Sequence, residues 1–301
     1  MIMSEKTTTP KKLQPPRYTT RIATFLRKSS NNRNVVIGAT LLLPVVIISI
    51  LAPIIATHDP ASNNYAATFA TPSVEYLFGT DQYGRDLFSR TIYGGRTSLY
   101  IGFASVLLAA GIGVPTGVSA GYYSGMYDEL VMRAMDILMT FPPIVLALLL
   151  LVTVTPSMNA AVVAIGIVFA PRIARVARAS TLSVADEDYI KACEQRGESS
   201  LYIMAVEILP NIRGPIVIES TIRVGYAIII GAALSFLGLG VQPPTPDWGV
   251  MIADARNELH NSIWMLLFPT VSLSATILGV NLLGDGLGDV LDDESGEFDN
   301  E

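Results

Sequence analysis

An all-α membrane protein with six spanning helices is the fold this sequence predicts, on three observations. Half of the 301 residues are hydrophobic and the mean hydropathy is +0.46, more apolar than an ordinary soluble domain. The apolar residues gather into separate runs of about 20, the length that crosses a bilayer core. Basic residues cluster at alternate ends of those runs, as the positive-inside rule requires of a multi-pass chain.

Residues 1–34 carry Lys6, Lys11, Lys12, Arg17, Arg21, Arg27, Lys28 and Arg33 against the single acid Glu5, which predicts a cytoplasmic segment. Its first twenty residues have Pro10, Pro15 and Pro16 and no apolar periodicity, so they read as disordered. The first span is Val35–Thr57, within residues 35–57. It reads as an anchor rather than a cleaved signal, because a long polar stretch precedes it and the run is long enough to cross. Residues 58–97 form an extracytoplasmic loop, followed by a second span at Ser98–Gly121. The third, Ala134–Thr155, contains Pro142-Pro143 and should kink there. Asn159–Arg178, Gly214–Leu239 and Ile263–Gly284 complete the six, with a core of residues 98–288. The loop after the fourth span and its flanks carry Arg172, Arg175, Arg178, Lys191, Arg196 and Arg213, again cytoplasmic. Trp248 and Trp264 flank the last outer loop, where an aromatic belt is expected. Residues 289–301 are an acidic cytoplasmic tail that reads as a solvated terminus. Both termini are therefore expected in the cytoplasm.

The polar interruption at residues 183–210 is the most informative stretch. Ser183 followed by Asp186 reads as a capping box opening a helix, with Ala185, Tyr189, Ala192 and Cys193 recurring at helical spacing. Gly197 can end that helix in a left-handed conformation. Ser199 can open a second helix bearing Leu201, Ile203, Met204 and Val206, which Pro210 should limit. Helix, glycine elbow, helix is a docking element. Cys193 is the sole cysteine, so no intrachain disulfide is possible, and a cytoplasmic position suits a reduced thiol.

This run resembles the Glu-Ala-Ala loop of binding-protein-dependent ABC importer permeases. Lys191-Ala192-Cys193 stands at the Glu-Ala-Ala, Gly197 at its glycine, and Leu209-Pro210 at its Leu-Pro, while Glu207 replaces the isoleucine. Gly79-Thr80-Asp81-Gln82-Tyr83-Gly84-Arg85-Asp86-Leu87-Phe88-Ser89-Arg90 resembles a signature of the dipeptide/oligopeptide (peptide/nickel) class. The segments Ser235–Gly240, Pro243–Gly249 and Asn281–Leu287 resemble three more of that class. The resemblance implies a type I ABC importer permease fold whose 183–210 loop couples to ATPase subunits. It also implies a sister permease, two ATP-binding cassette subunits and an extracytoplasmic solute-binding protein as partners. ATP and Mg would be bound by the partner ATPase subunits, with no cofactor on this chain. Permeases of this kind carry peptides, nickel chelates, glutathione or oligosaccharides, and no residue here chooses among them.

Other chemistry finds little support. No GxxxxGK[ST] phosphate loop occurs, so the chain has no ATPase site of its own. His58 and His260 lack the spacing of a metal site, and nothing points to nucleic acid. Gly117-Val118-Ser119-Ala120-Gly121 matches the serine-hydrolase elbow, with Asp247 and His260 following in order, but it ends an apolar helix rather than a strand. Gly113, Gly117, Gly121 and Gly125, spaced by four, read instead as a small-residue ridge for close helix packing. Glu219 and Arg223, one turn apart on the fifth span, can form an ion pair that lines the pathway, or Arg223 can snorkel to the headgroups. A channel or secondary transporter is the alternative of a different class; it would need no docking loop.

Overall fold

A computed structural model describes residues 32–298 and Ser29, with side chains through Val290. The basic cluster from Lys6 to Lys28 and residues 299–301 lie outside the described residues. Asn32 caps helix α1, Arg33–Ile50, by accepting from the amides of Asn34 and Val35. The helix breaks at Leu51 and resumes for one turn as α2, Ala52–Ile55, with Pro53 in its first turn, where a proline costs no hydrogen bond.

The second span is longer than its apolar run. Helix α3 covers Leu87–Tyr123, so residues 87–97 are helical where the sequence suggested a loop. Most of their polar side chains are sequestered: Ser89, Arg90, Thr91 and Thr97 are buried, while Arg96 stays exposed. The Pro142-Pro143 pair breaks the third run outright. Helix α4, Gly125–Met139, meets α5, Pro143–Leu151, at 89°. Helix α6 runs Met158–Ala185, seven residues past the expected end. A short helix α7, Asp188–Gln195, and one turn, α8, Ser200–Tyr202, pass through a π-helical segment Ile203–Ile208 into α9, Leu209–Phe236. Pro210 therefore does not stop the second arm. It sits in the first turn of α9, where its missing N–H is tolerated. The last outer loop holds an unexpected helix, α10, Trp248–Asn257, and α11 runs Trp264–Phe298, carrying helix into the acidic tail.

Close approaches fix the direction of each helix. A Cβ added at Gly113 would meet Ala170, one at Gly117 would meet Ala174, and one at Gly121 would meet Arg178 and Thr181. Register advances the same way on both helices, so α3 and α6 are parallel. The bent α4–α5 pair must then carry the chain back across the bundle, as one broken span rather than a re-entrant loop. With the five straight candidates this gives six spans. Gly38 of α1 lies against Gly279 and Leu283 of α11, and Gly286 lies against Val35, an antiparallel pair. Asn32 donates to Asp289 at 3.3 Å, so the two described ends meet at one end of the bundle. The core lies where α3, α6 and α9 converge on Ile101, Ile165, Phe169, Ala227 and Ile228.

Candidate functional site

At the end of the bundle where α3 and α6 finish, the 183–210 segment forms a bracket. Ser183 does not open a helix: it lies inside α6, and its hydroxyl donates to the Ser180 carbonyl. Helix α7 instead starts after Glu187, which makes no side-chain capping bond. The expected apolar face is also displaced. Ile190 and Cys193 are buried, whereas Tyr189, Lys191 and Ala192 are exposed and Ala185 is half-buried at the close of α6. The pair Ile190–Cys193, one turn apart, was the available signal. It packs with Val118 of α3, Ala177 of α6, and Ile203, Ile208, Ile212 and Ile216 on the second arm.

Gly197 has φ of +77°, a conformation in which a Cβ is disfavoured. Its amide donates to Glu194 and the Glu198 amide donates to Cys193, the paired bonds of a Schellman motif. Ser199 caps the second arm by accepting from the Tyr202 amide at 3.3 Å. Two side-chain bonds lock the bracket: Tyr122 of α3 donates to Glu194 at 3.0 Å, and Asn211 donates to the Tyr189 hydroxyl at 3.1 Å. Leu209 is half-buried and Pro210 exposed. What remains outward is a mixed surface of Tyr189, Lys191, Ala192, Leu201 and Tyr202, with Leu201 73% exposed.

Above the bracket, Gly113, Gly117 and Gly121 lie along the α3–α6 contact. Gly125 departs from that ridge: it has open space around its Cβ position and φ of +61°, so it serves the turn into α4. Ser119 bonds to the Thr116 carbonyl and the Tyr127 hydroxyl, while Asp247 bonds to Ser98 at 2.7 Å. No hydrolytic triad is assembled. Arg178 pairs with Asp128 and Arg175 with Asp136 across an open groove of about 710 Å³ between α4 and α6. These pairs join residues 50 and 39 positions apart, which no local pattern could reveal.

Glu219 and Arg223 form an ion pair at 2.6 Å through the guanidinium Nε. The guanidinium lies 5.1 Å from the Tyr226 ring centroid and 5.9 Å from that of Phe169. Arg223 stands near the middle of the 28-residue α9, about 20 Å from either end at 1.5 Å per residue.

The opposite end carries a compact polar lobe built by residues 79–90. Asp81 accepts from the amides of Tyr83 and Arg85 and pairs with Arg85 Nε at 2.6 Å and with Arg90 Nε at 3.6 Å. Asp86 caps α3 by accepting from the Ser89 amide, and also accepts from Thr57. Arg90 donates to the Pro60 carbonyl. Arg85 reaches Asp254 of α10 at 3.8 Å. Burial pushes the Asp254 carboxyl above its ordinary range, against the opposing pull of Arg85 and Arg90. The Trp248 indole donates to the Thr91 carbonyl at 2.9 Å and Asp247 caps α10, fastening that helix to α3. Among the described residues no cluster of His, Cys, Asp or Glu could hold a metal ion.

Comparison with known proteins gives three similarities. The profile of the family described as "Binding-protein-dependent transport system inner membrane component" matches residues 113–294. The dipeptide transport system permease protein DppC of Alkalihalophilus pseudofirmus is 38% identical over 266 residues, 88% of each chain. A putative peptide transport system permease protein of Brucella abortus is 40% identical over 266 residues, covering 88% of this chain and 90% of that one. Among solved structures, a chain of the MetNI methionine ABC transporter in inward-facing conformations superposes with a TM-score of 0.54 at 20% identity. The match covers 65% of this chain and 93% of that one, a likeness of fold.

Proposed function

Since the chain belongs to the family of binding-protein-dependent transport system inner membrane components, it is a permease subunit of an ABC importer, and we propose that it imports peptides. Support for that substrate class comes from relatives named as dipeptide and peptide permeases at 38–40% identity across most of the chain. ATP use in such systems lies with separate ATPase subunits. The assembly we propose is this chain, one sister permease, two ATP-binding subunits and an extracytoplasmic solute-binding protein.

Residues 183–210 are the coupling loop in this reading, with Tyr189, Lys191, Ala192 and Leu201 presented to an ATPase subunit. The observation that carries the assignment is the bracket itself, locked to α3 and continuous with α9 while its outer face stays uncovered. Closure of the ATP-binding partners would move the bracket and with it α9, shifting the bundle between inward- and outward-facing packings. Both termini and the bracket are then cytoplasmic, and the lobe at residues 58–86 faces outward. Glu219 and Arg223 line the path, since an ionised pair at mid-depth is costly against lipid.

Uptake of radiolabelled dipeptides into proteoliposomes holding the full complex tests the proposal. Uptake should require internal or external ATP on the ATPase side and the binding protein on the other. Uptake without ATP, driven by an ion gradient, would show a secondary transporter instead.

A further inference from the structure

Arginine has five N–H donors arranged as a fork that fits a carboxylate edge-on. In Arg223 only Nε is engaged, by Glu219 at 2.6 Å. Among the described residues neither terminal nitrogen of its guanidinium has a hydrogen-bond partner. The side chain is nevertheless only 13% exposed and its position is fixed by the Glu219 carboxylate and by the flanking rings of Phe169 and Tyr226. Two terminal nitrogens near the middle of α9 are thus held in place without a hydrogen-bond partner. Tyr226 on the next turn of α9 is 48% exposed, so the guanidinium lies between the buried Phe169 ring and a ring at the bundle surface.

We propose that Arg223 binds the terminal carboxylate of the permeating peptide through its two free terminal nitrogens, with Glu219 as the positioning residue that turns the fork outward. The inference rests on the peptide-import reading above and deepens it to a contact. Glu219 neutralises the arginine between transport events, which keeps the path from holding an isolated charge at mid-depth. An arriving carboxylate adds hydrogen bonds without displacing the Nε bond.

The test uses the complete complex in proteoliposomes and a set of dipeptides, each as free acid and as C-terminal amide. The binding protein's own affinity for each form is measured separately and the same binding protein is used throughout. Wild type should favour the acids beyond the preference the binding protein imposes. Arg223→Gln should cut the excess acid-to-amide ratio by about tenfold or more, the order expected when a charge-assisted hydrogen bond is lost. Arg223→Lys, which keeps the charge and loses the fork, should restore only part of it. Glu219→Gln should keep selectivity while slowing release of the acids. An unchanged ratio in Arg223→Gln overturns the assignment alone. So does failure of both arginine variants to assemble with the sister permease, which would make the residue an interface anchor. Uptake of neither form by wild type overturns the peptide reading itself.

Discussion

Gly117→Ala offers the sharpest test of how the bundle holds together. A methyl at this position would fall on the Ala174 carbonyl oxygen and lie 2.8 Å from the Ala177 Cβ. An ordinary contact needs about 3.5–4.0 Å. Neither obstacle can rotate away, because one is backbone and the other is the first side-chain atom, so α3 and α6 must separate. Overpacking of this kind costs about 1–3 kcal/mol. The substitution also brings a helix-propensity gain of up to about 1 kcal/mol, which would mask part of the loss. Gly111→Ala supplies the control: it lies on the same helix, but its Cβ position has nothing within 4 Å. The difference between the two variants isolates the packing cost. It should appear as a midpoint gap of about 3–10 °C when the detergent-solubilised complex is melted and followed by size-exclusion yield. Equal midpoints for the two variants would refute the close-packing argument.

Other expectations follow from the bracket and the lobe. Gly197→Val meets no neighbour but must adopt φ of +77°, so backbone strain of about 1–3 kcal/mol should weaken pull-down of the ATPase subunit while membrane insertion stays normal. Impermeant thiol labelling in a Cys193→Ser background should modify Ser73→Cys in intact cells and spare Glu194→Cys, and the reverse pattern would invert the topology. For Asp254 the folded value is raised, so the folded state binds its proton more tightly than the unfolded chain. As pH rises from the ordinary aspartate range through that raised value, wild type should lose stability relative to Asp254→Asn. Thermal midpoints of both proteins across that window, if parallel, would remove the burial argument.

The spans were legible because length and hydropathy are summed properties that tolerate error at single residues. Their ends were not. Residues 87–97 read as loop because Arg90, Thr91, Arg96 and Thr97 are polar, yet Arg90 is buried by Asp81 and the Pro60 carbonyl and the Thr91 hydroxyl is spent on the Leu87 carbonyl one turn back. Pro210 read as a terminator because a proline removes one helical bond, and the π segment ahead of it absorbs that loss. The elbow glycine was legible because positive φ is a local demand, and φ at Gly197 is +77°. The facing of α7 was misjudged because Tyr189 and Ile190 are neighbours in sequence and either could turn inward. Tyr189 can satisfy its hydroxyl at the rim through Asn211, which leaves the wholly apolar Ile190 to enter the core.

The two arms of the bracket are joined to the bundle differently. Asp186 and Glu187 separate α6 from α7 as a two-residue swivel, while Ser200 to Phe236 is one 37-residue rod. The α7 arm stays fastened to α3 through Tyr122 and Glu194, so a thrust on the elbow would reach the bundle by both arms, but only the second arm carries it without a break of helix, with α9 as the lever. Arg223 lies about 22 Å along that lever from Ile208 at 1.5 Å per residue. A tilt of about 10° pivoting at Ile208 sweeps its guanidinium sideways by about 4 Å, more than the length of the bond that a carboxylate would make to it. On the reading proposed above, the stroke that opens one mouth of the passage would also draw the arginine away from a carboxylate held by the opposite wall, and release would need no separate trigger.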